Sequence, residues 1–176
     1  MTAVYWKSEG AIGSKLRYSS RVDFDRVMAI LRAFERRGVA YKVVGGVAMN
    51  VQGLARATRD LDVFVEPTAE NLTRLRAALH SGFDDPSIAE ITAEDLCGDY
   101  PAIQYVPPVE GFHIDILARL GEAFDFASIE TEARTFEGVS VPVATRAMLY
   151  EMKRATVRLR DRLDSEWPRS RMEEGG

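Results

Sequence analysis

The chain has 176 residues, a formal net charge of −4, 46% hydrophobic and 28% charged residues, which suits one core-forming domain of ordinary globular composition. The slight acidity argues against a broadly basic nucleic-acid coat, although it leaves room for a local basic patch. Cys97 is the single cysteine, so no intrachain disulfide can form and a cytoplasmic location is expected; no apolar run approaches the ~20 residues of a membrane span, and no signal-peptide core is evident.

Residues 1–20 carry no clear periodicity and read as a loose arm, with a folded domain expected over 21–167 and a flexible tail over 168–176. Val22, Val27, Ile30, Leu31 and Phe34 recur at helical spacing up to Gly38, which predicts the first helix. Tyr41–Val44 is a short β-prone run, followed by Gly45-Gly46 and a short helical stretch over 47–54. Such a strand, glycine turn and helix start can cradle phosphate, because glycine allows close backbone approach. An ordinary tight turn has the same sequence. Neither a Walker loop nor a Gly-x-Gly-x-x-Gly element is present.

Arg56 and Thr58 follow in a loop, where they can contact phosphate or brace the chain. Then Asp60 and Asp62 alternate with Leu61, Val63 and Val65, which predicts a strand over 61–66 with both aspartates on one face, roughly 7 Å apart. Pro67-Thr68 opens a helix that closes near Gly82, and an acidic, irregular stretch from Asp84 to Asp99 follows. Ile103–Val106 and 112–117 bracket a Pro-Pro turn and predict a hairpin. In its second strand Phe112, Ile114 and Ile116 take one face and His113 and Asp115 the other.

If the strands of Asp62 and Asp115 pair, three carboxylates converge. At about 4 Å and an effective dielectric near 20, each like-charge pair costs on the order of 4 kcal/mol. A hard divalent cation, Mg²⁺ or Mn²⁺, held by Asp60, Asp62 and Asp115 would offset that repulsion. His113 belongs at the edge of such a site or is a packed, satisfied histidine. His80 is expected to be structural, and Met28, Met49, Met148 and Met152 to be core. Val139–Val143 predicts a last strand, and a final helix is expected from about Arg146 to Asp164 with Arg154, Arg158 and Arg162 on one face beside Lys153.

Val44-Gly45-Gly46-Val47-Ala48-Met49, followed by Arg56-Ala57-Thr58-Arg59-Asp60-Leu61-Asp62-Val63, resembles the core signature of the polymerase-β-type nucleotidyltransferases. The form Gly-Gly-x-Ala, then Arg-x-Thr-x-Asp-hydrophobic-Asp, is most similar to the AbiEii/MenT-like branch, which includes toxins of toxin–antitoxin systems. Leu149–Lys153 and Arg160–Asp164 resemble that branch's closing segment, with Leu159 where many relatives carry proline. The resemblance implies an α/β (α+β) minimal nucleotidyltransferase fold, with a central mixed sheet of about four to five strands flanked by helices. It also implies a nucleoside triphosphate substrate, metal at Asp60, Asp62 and Asp115, and a proton-accepting role for Asp115. Lys153 would reach the triphosphate, and Asp161 would orient that lysine or an arginine. The acceptor expected from the branch is RNA, such as a tRNA acceptor end, with an antitoxin protein as partner. A small-molecule acceptor such as an antibiotic, and a non-catalytic nucleotide- or partner-binding module, are the other readings. Retention of all three aspartates argues against the last.

Overall fold

The computed structural model describes residues 24–53, 58–98, 101–109 and 111–155. Helix α1 (Phe24–Arg37) buries Val27, Ile30, Leu31 and Phe34, the stripe expected from the sequence. Strand β1 (Tyr41–Val43) leads through the glycine pair directly into α2 (Gly45–Val51), and β2 (Asp60–Val65) follows. Helix α3 (Ala69–His80) starts at Thr68, whose hydroxyl caps the Asn71 N–H. The acidic stretch forms a 3₁₀ turn (Pro86–Glu90) and the short helix α4 (Ala93–Cys97), both capped by side chains, of Asp85 and Thr92 respectively. Then come β3 (Ala102–Tyr105), β4 (His113–Leu117), the small pair β5 (Arg119–Leu120) and β6 (Phe124–Asp125), β7 (Thr131–Phe136) and β8 (Val139–Ala144). Residues 146–155 are helical (α5).

The main sheet is mixed and has six strands in the order β3-β4-β2-β1-β8-β7, against the four to five expected. The expected hairpin is β3–β4, antiparallel, with Tyr105 opposite Ile114 and Gln104 opposite Asp115. Strand β7 accounts for most of the difference in number. Its sequence, Thr-Glu-Ala-Arg-Thr-Phe, has no apolar alternation, and it pairs with β8 through the turn Glu137 (φ 48) and Gly138 (φ 83). Two consecutive left-handed residues make a tight turn whose twist matches the flanking strands.

One face of the sheet is sealed. Leu61, Val63, Val65, Ile114, Ile116 and Val43 are fully buried there. Phe34 of α1 meets Tyr41 of β1 edge-on at 5.1 Å, which seats α1 on this face, and α3 packs beside it. Asn71 joins helix to sheet: its side chain accepts from the Ala40 N–H (2.7 Å) and donates to the Ala40 and Glu66 carbonyls (2.9 Å each). Because strand side chains alternate, the opposite face carries Lys42, Asp60, Asp62, Phe64, His113, Asp115 and Leu117. The arm over 1–20, the tail over 168–176, Val22, Arg56, Arg158, Leu159, Asp161, Arg162 and Asp164 lie outside the described residues.

Candidate active site

Strands β2 and β4 pair in parallel, with Asp60 opposite His113, Asp62 opposite Asp115 and Phe64 opposite Leu117. Neighbouring strands run about 4.8 Å apart. Four polar side chains therefore form a compact square on one face, bounded on the sheet by the Phe64–Leu117 pair. His113 Nε2 lies 2.7 Å from Asp60 Oδ1, with the two side chains about one-third exposed. One donor atom from each of Asp60, His113 and Asp115 lies within 4.8 Å of the others. Gln104, opposite Asp115 on β3, donates through Nε2 to Asp115 Oδ1 at 3.0 Å and orients that carboxylate.

Asp62 turns toward the glycine pair. Its Oδ2 accepts from the Gly46 N–H at 3.3 Å, while its backbone carbonyl accepts from the Val44 N–H at 3.0 Å. Gly45 has φ +61, and a Cβ placed there would run into the Asp62 carboxylate and come within 2.8 Å of the Asp62 Cβ. A Cβ on Gly46 would lie 2.5 Å from Thr58 Oγ1. Both glycines are thus required by contact: the first lets Asp62 close on the turn, the second lets Thr58 do so. The Thr58 hydroxyl stands 3.4 Å from both the N–H and the carbonyl of Asp60, so Thr58 braces the approach to β2.

A cavity of about 280 Å³ opens beside this square. Gly45, Asp62 and Lys153 line its polar side, and Val44, Met49, Phe64, Leu117, Leu120, Leu149 and Met152 its apolar side. Helix α5 is anchored by buried Leu149 and Met152, which leaves Lys153 exposed at the cavity wall. Among the methionines expected in the core, Met28 and Met152 are buried, while Met49 and Met152 also form cavity wall. His80 is exposed at the end of α3.

Lys42 shares the face of Asp62, but its ammonium is committed elsewhere. It donates to the carbonyls of Phe126 (2.6 Å) and Ile129 (2.8 Å) and sits 4.6 Å from the Phe126 ring centroid. Burial pushes its pKa down and the nearby Asp125 carboxylate opposes that shift. Lys42 therefore ties down the segment after β6.

The structure gathers Asp60, Asp62, Asp115, Gly45, Gly46, Thr58 and Lys153 into one region. Gln104 was not legible as a site residue; its only sequence signal is a polar side chain in β3 at the hairpin position that faces Asp115.

The fold has a counterpart among solved structures. A candidate nucleotidyltransferase from Thermotoga maritima, TM1012, superposes with a TM-score of 0.54 at 14% identity, over 90% of this chain and 99% of that one. The likeness is one of fold. A second structure, the ANT(2″)-Ia protein in complex with adenylyl-2″-tobramycin, is similar at 17% identity and a TM-score of 0.39, over 69% of this chain and 68% of its own. No protein-family model and no curated protein sequence matches the chain. Among the described residues no helix is long and apolar enough to cross a membrane.

Proposed function

We propose that this protein is a divalent-metal-dependent nucleotidyltransferase. The observation that carries the reading is the β2–β4 register, which sets Asp62 opposite Asp115 and Asp60 opposite His113 beside a glycine turn. Carboxylates and an imidazole whose donor atoms lie within 4.8 Å suit a divalent ion. Asp60 and Asp115 would hold it, with Asp62 completing the site by rotating off the Gly46 N–H. A divalent ion bound there supplies charge neutralisation at the phosphate oxygens and favours in-line displacement.

The remaining roles belong to the chain's own groups. The Gly45-Gly46 turn, at the start of α2, offers backbone N–H groups to the triphosphate, and its glycines let Asp62 and Thr58 close against it. Lys153, which lines the same cavity as Asp62, neutralises charge on the pyrophosphate side as a compact point charge. Asp115, with one oxygen held by Gln104, takes the proton of the acceptor hydroxyl. The acceptor oxygen forms a new bond to the α-phosphorus while the bond to the bridging oxygen breaks and pyrophosphate leaves. The apolar wall from Phe64 to Leu120 limits water at the reacting atoms, so positioning and electrostatics carry the rate.

The sequence resemblance favours the AbiEii/MenT-like branch, with a tRNA acceptor end or other RNA as acceptor, a neutralising antitoxin protein as partner and the cytoplasm as compartment. On that reading Arg56 and Asp161 join the phosphate-binding set. A cationic small-molecule acceptor is the second reading; the exposed acids of the 84–95 segment take no part in it, because that segment packs on the sealed face, where Tyr105 donates to Asp85 and Arg76 of α3 donates to the Ile91 carbonyl. The test is incubation of the protein with each α-labelled nucleoside triphosphate, Mg²⁺ or Mn²⁺, and either total cellular RNA or an aminoglycoside panel. Label transfer to RNA supports the first acceptor, and label on the antibiotic supports the second. Absence of both transfer and triphosphate binding would refute the enzyme reading.

A further inference from the structure

The square on β2 and β4 is not built of carboxylates alone. The side chain opposite Asp60 is the imidazole of His113, and its Nε2 is 2.7 Å from Asp60 Oδ1. The most compact donor set among the described residues is accordingly Asp60, His113 and Asp115. Asp62, the residue that would make the set all-oxygen, has its Oδ2 engaged by the Gly46 N–H at 3.3 Å. The Asp115 carboxylate is fixed through one oxygen by Gln104.

These donors are close enough to be drawn into one coordination sphere. Donors about 2.1 Å from one ion sit about 3 Å apart when adjacent and about 4.2 Å apart when opposite in an octahedron. His113 and Asp60 stand 2.7 Å apart, the distance of a direct hydrogen bond that an ion would replace, and the Asp115 donor lies within 4.8 Å of both, so small side-chain rotations bring all three into one shell. Strand geometry explains why His113 is available. It is locked opposite Asp60 by the parallel register, and its neighbours Phe112 and Ile114 are buried, which leaves the imidazole on the site face.

We propose that His113 supplies an imidazole nitrogen to the ion held by Asp60 and Asp115, so that the resident ion is a transition cation of the manganese class rather than magnesium. This rests on the metal-dependent reading above and goes further by naming the ligand and the ion class. Magnesium is a hard ion that takes oxygen donors and gives up water reluctantly. An imidazole adds little to its binding but strengthens that of first-row transition ions, among which Mn²⁺ is the one that also suits a carboxylate-rich site.

The test is Mn²⁺ binding to the full chain, followed by electron paramagnetic resonance, with pulsed detection of ¹⁴N coupling. The sequence contains two histidines, so the nitrogen can be assigned. The wild type should show imidazole nitrogen coupled to bound Mn²⁺, and His80→Gln should keep it. His113→Gln should lose it and weaken Mn²⁺ binding at least about tenfold, while Mg²⁺ affinity changes little. His113→Glu should restore binding without nitrogen coupling and move the preference toward Mg²⁺. Circular dichroism of each variant checks the fold. Bound Mn²⁺ with no nitrogen coupling, coupling that survives in His113→Gln, or an unchanged Mn²⁺/Mg²⁺ ratio in His113→Glu would overturn the proposal and leave a carboxylate metal site standing. Failure of the wild type to bind either ion, with or without a nucleoside triphosphate, would overturn both.

Discussion

Gly45→Ala should separate stability from chemistry. The backbone at Gly45 is left-handed, with φ +61, and an L side chain there costs about 1–2 kcal/mol. The new Cβ also collides with the Asp62 carboxylate; overpacking of this kind typically costs about 1–3 kcal/mol. Together the loss should be about 2–5 kcal/mol, or a fall in Tm of about 4–20 °C at the 2–4 °C per kcal/mol expected for a chain of this size. The collision also displaces the Asp62 carboxylate, and a displacement of about 1 Å at a reacting centre can cost on the order of a hundredfold in rate. A double-mutant cycle isolates the collision. In Asp62→Ala the carboxylate is gone but the Asp62 Cβ position, 2.8 Å from the built atom, is still occupied. Gly45→Ala should therefore cost about 1–2 kcal/mol less in that background, with the left-handed strain remaining. Thermal and urea unfolding of the four proteins measures the coupling without knowledge of the acceptor. Equal costs in both backgrounds would show that Asp62 does not close on the turn, and the geometric account of Gly45 would be wrong.

Lys153→Ala should weaken triphosphate binding about tenfold, or about 1.4 kcal/mol, with stability changed by no more than about 0.5 kcal/mol because the side chain is exposed; unchanged affinity in a fluorescent-nucleotide titration would remove this lysine from the site. Asn71→Ala should destabilise the fold by on the order of 3 kcal/mol, since three backbone groups lose their partner; chemical denaturation measures it, and a loss under about 1 kcal/mol would mean that water replaces the amide. Glu132 has its pKa lowered by hydrogen bonds from Gln52 and Arg134 and by the charges of Arg134 and Arg146. Its folded pKa lies below the unfolded one, so its stabilisation is complete above the ordinary carboxylate range and is lost as pH falls through the lowered value. The stability gap between wild type and Glu132→Gln should then be constant from pH 7 to about 5 and close below about pH 4; a gap that widens on acidification would contradict the sign.

Much of the site was legible because its residues interrupt an apolar alternation. Asp60 and Asp62 stand between Leu61, Val63 and Val65, and Asp115 between Ile114 and Ile116, so strand and face follow from a period of two. The glycine pair was legible as a turn, but its reason was not: only the structure shows that Gly45 makes room for Asp62 and Gly46 for Thr58. The place of His113 depends on register between strands separated by α3, α4 and β3, and no local pattern specifies that register. Strand β7 was hidden because it is an edge strand with half-buried and exposed positions, where burial demands few apolar residues. The Glu137-Gly138 turn before Val139 was its available signal.

The pairing of β2 with β4 has a consequence for folding accuracy. A slip of one residue would carry Asp60, Asp62, His113 or Asp115 into the sealed side now filled by Leu61, Val63, Ile114 and Ile116. Each misplaced carboxylate would meet hydrocarbon with no counter-charge, a penalty of several kcal/mol that no alternative packing recovers. A slip of two would keep the faces but set Asp60 opposite Asp115, and so leave Asp62 opposite Leu117 and His113 with no partner on β2. The residues assigned to chemistry thus also act as a proofreading code for assembly, in which each polar side chain penalises a slip of its own strand.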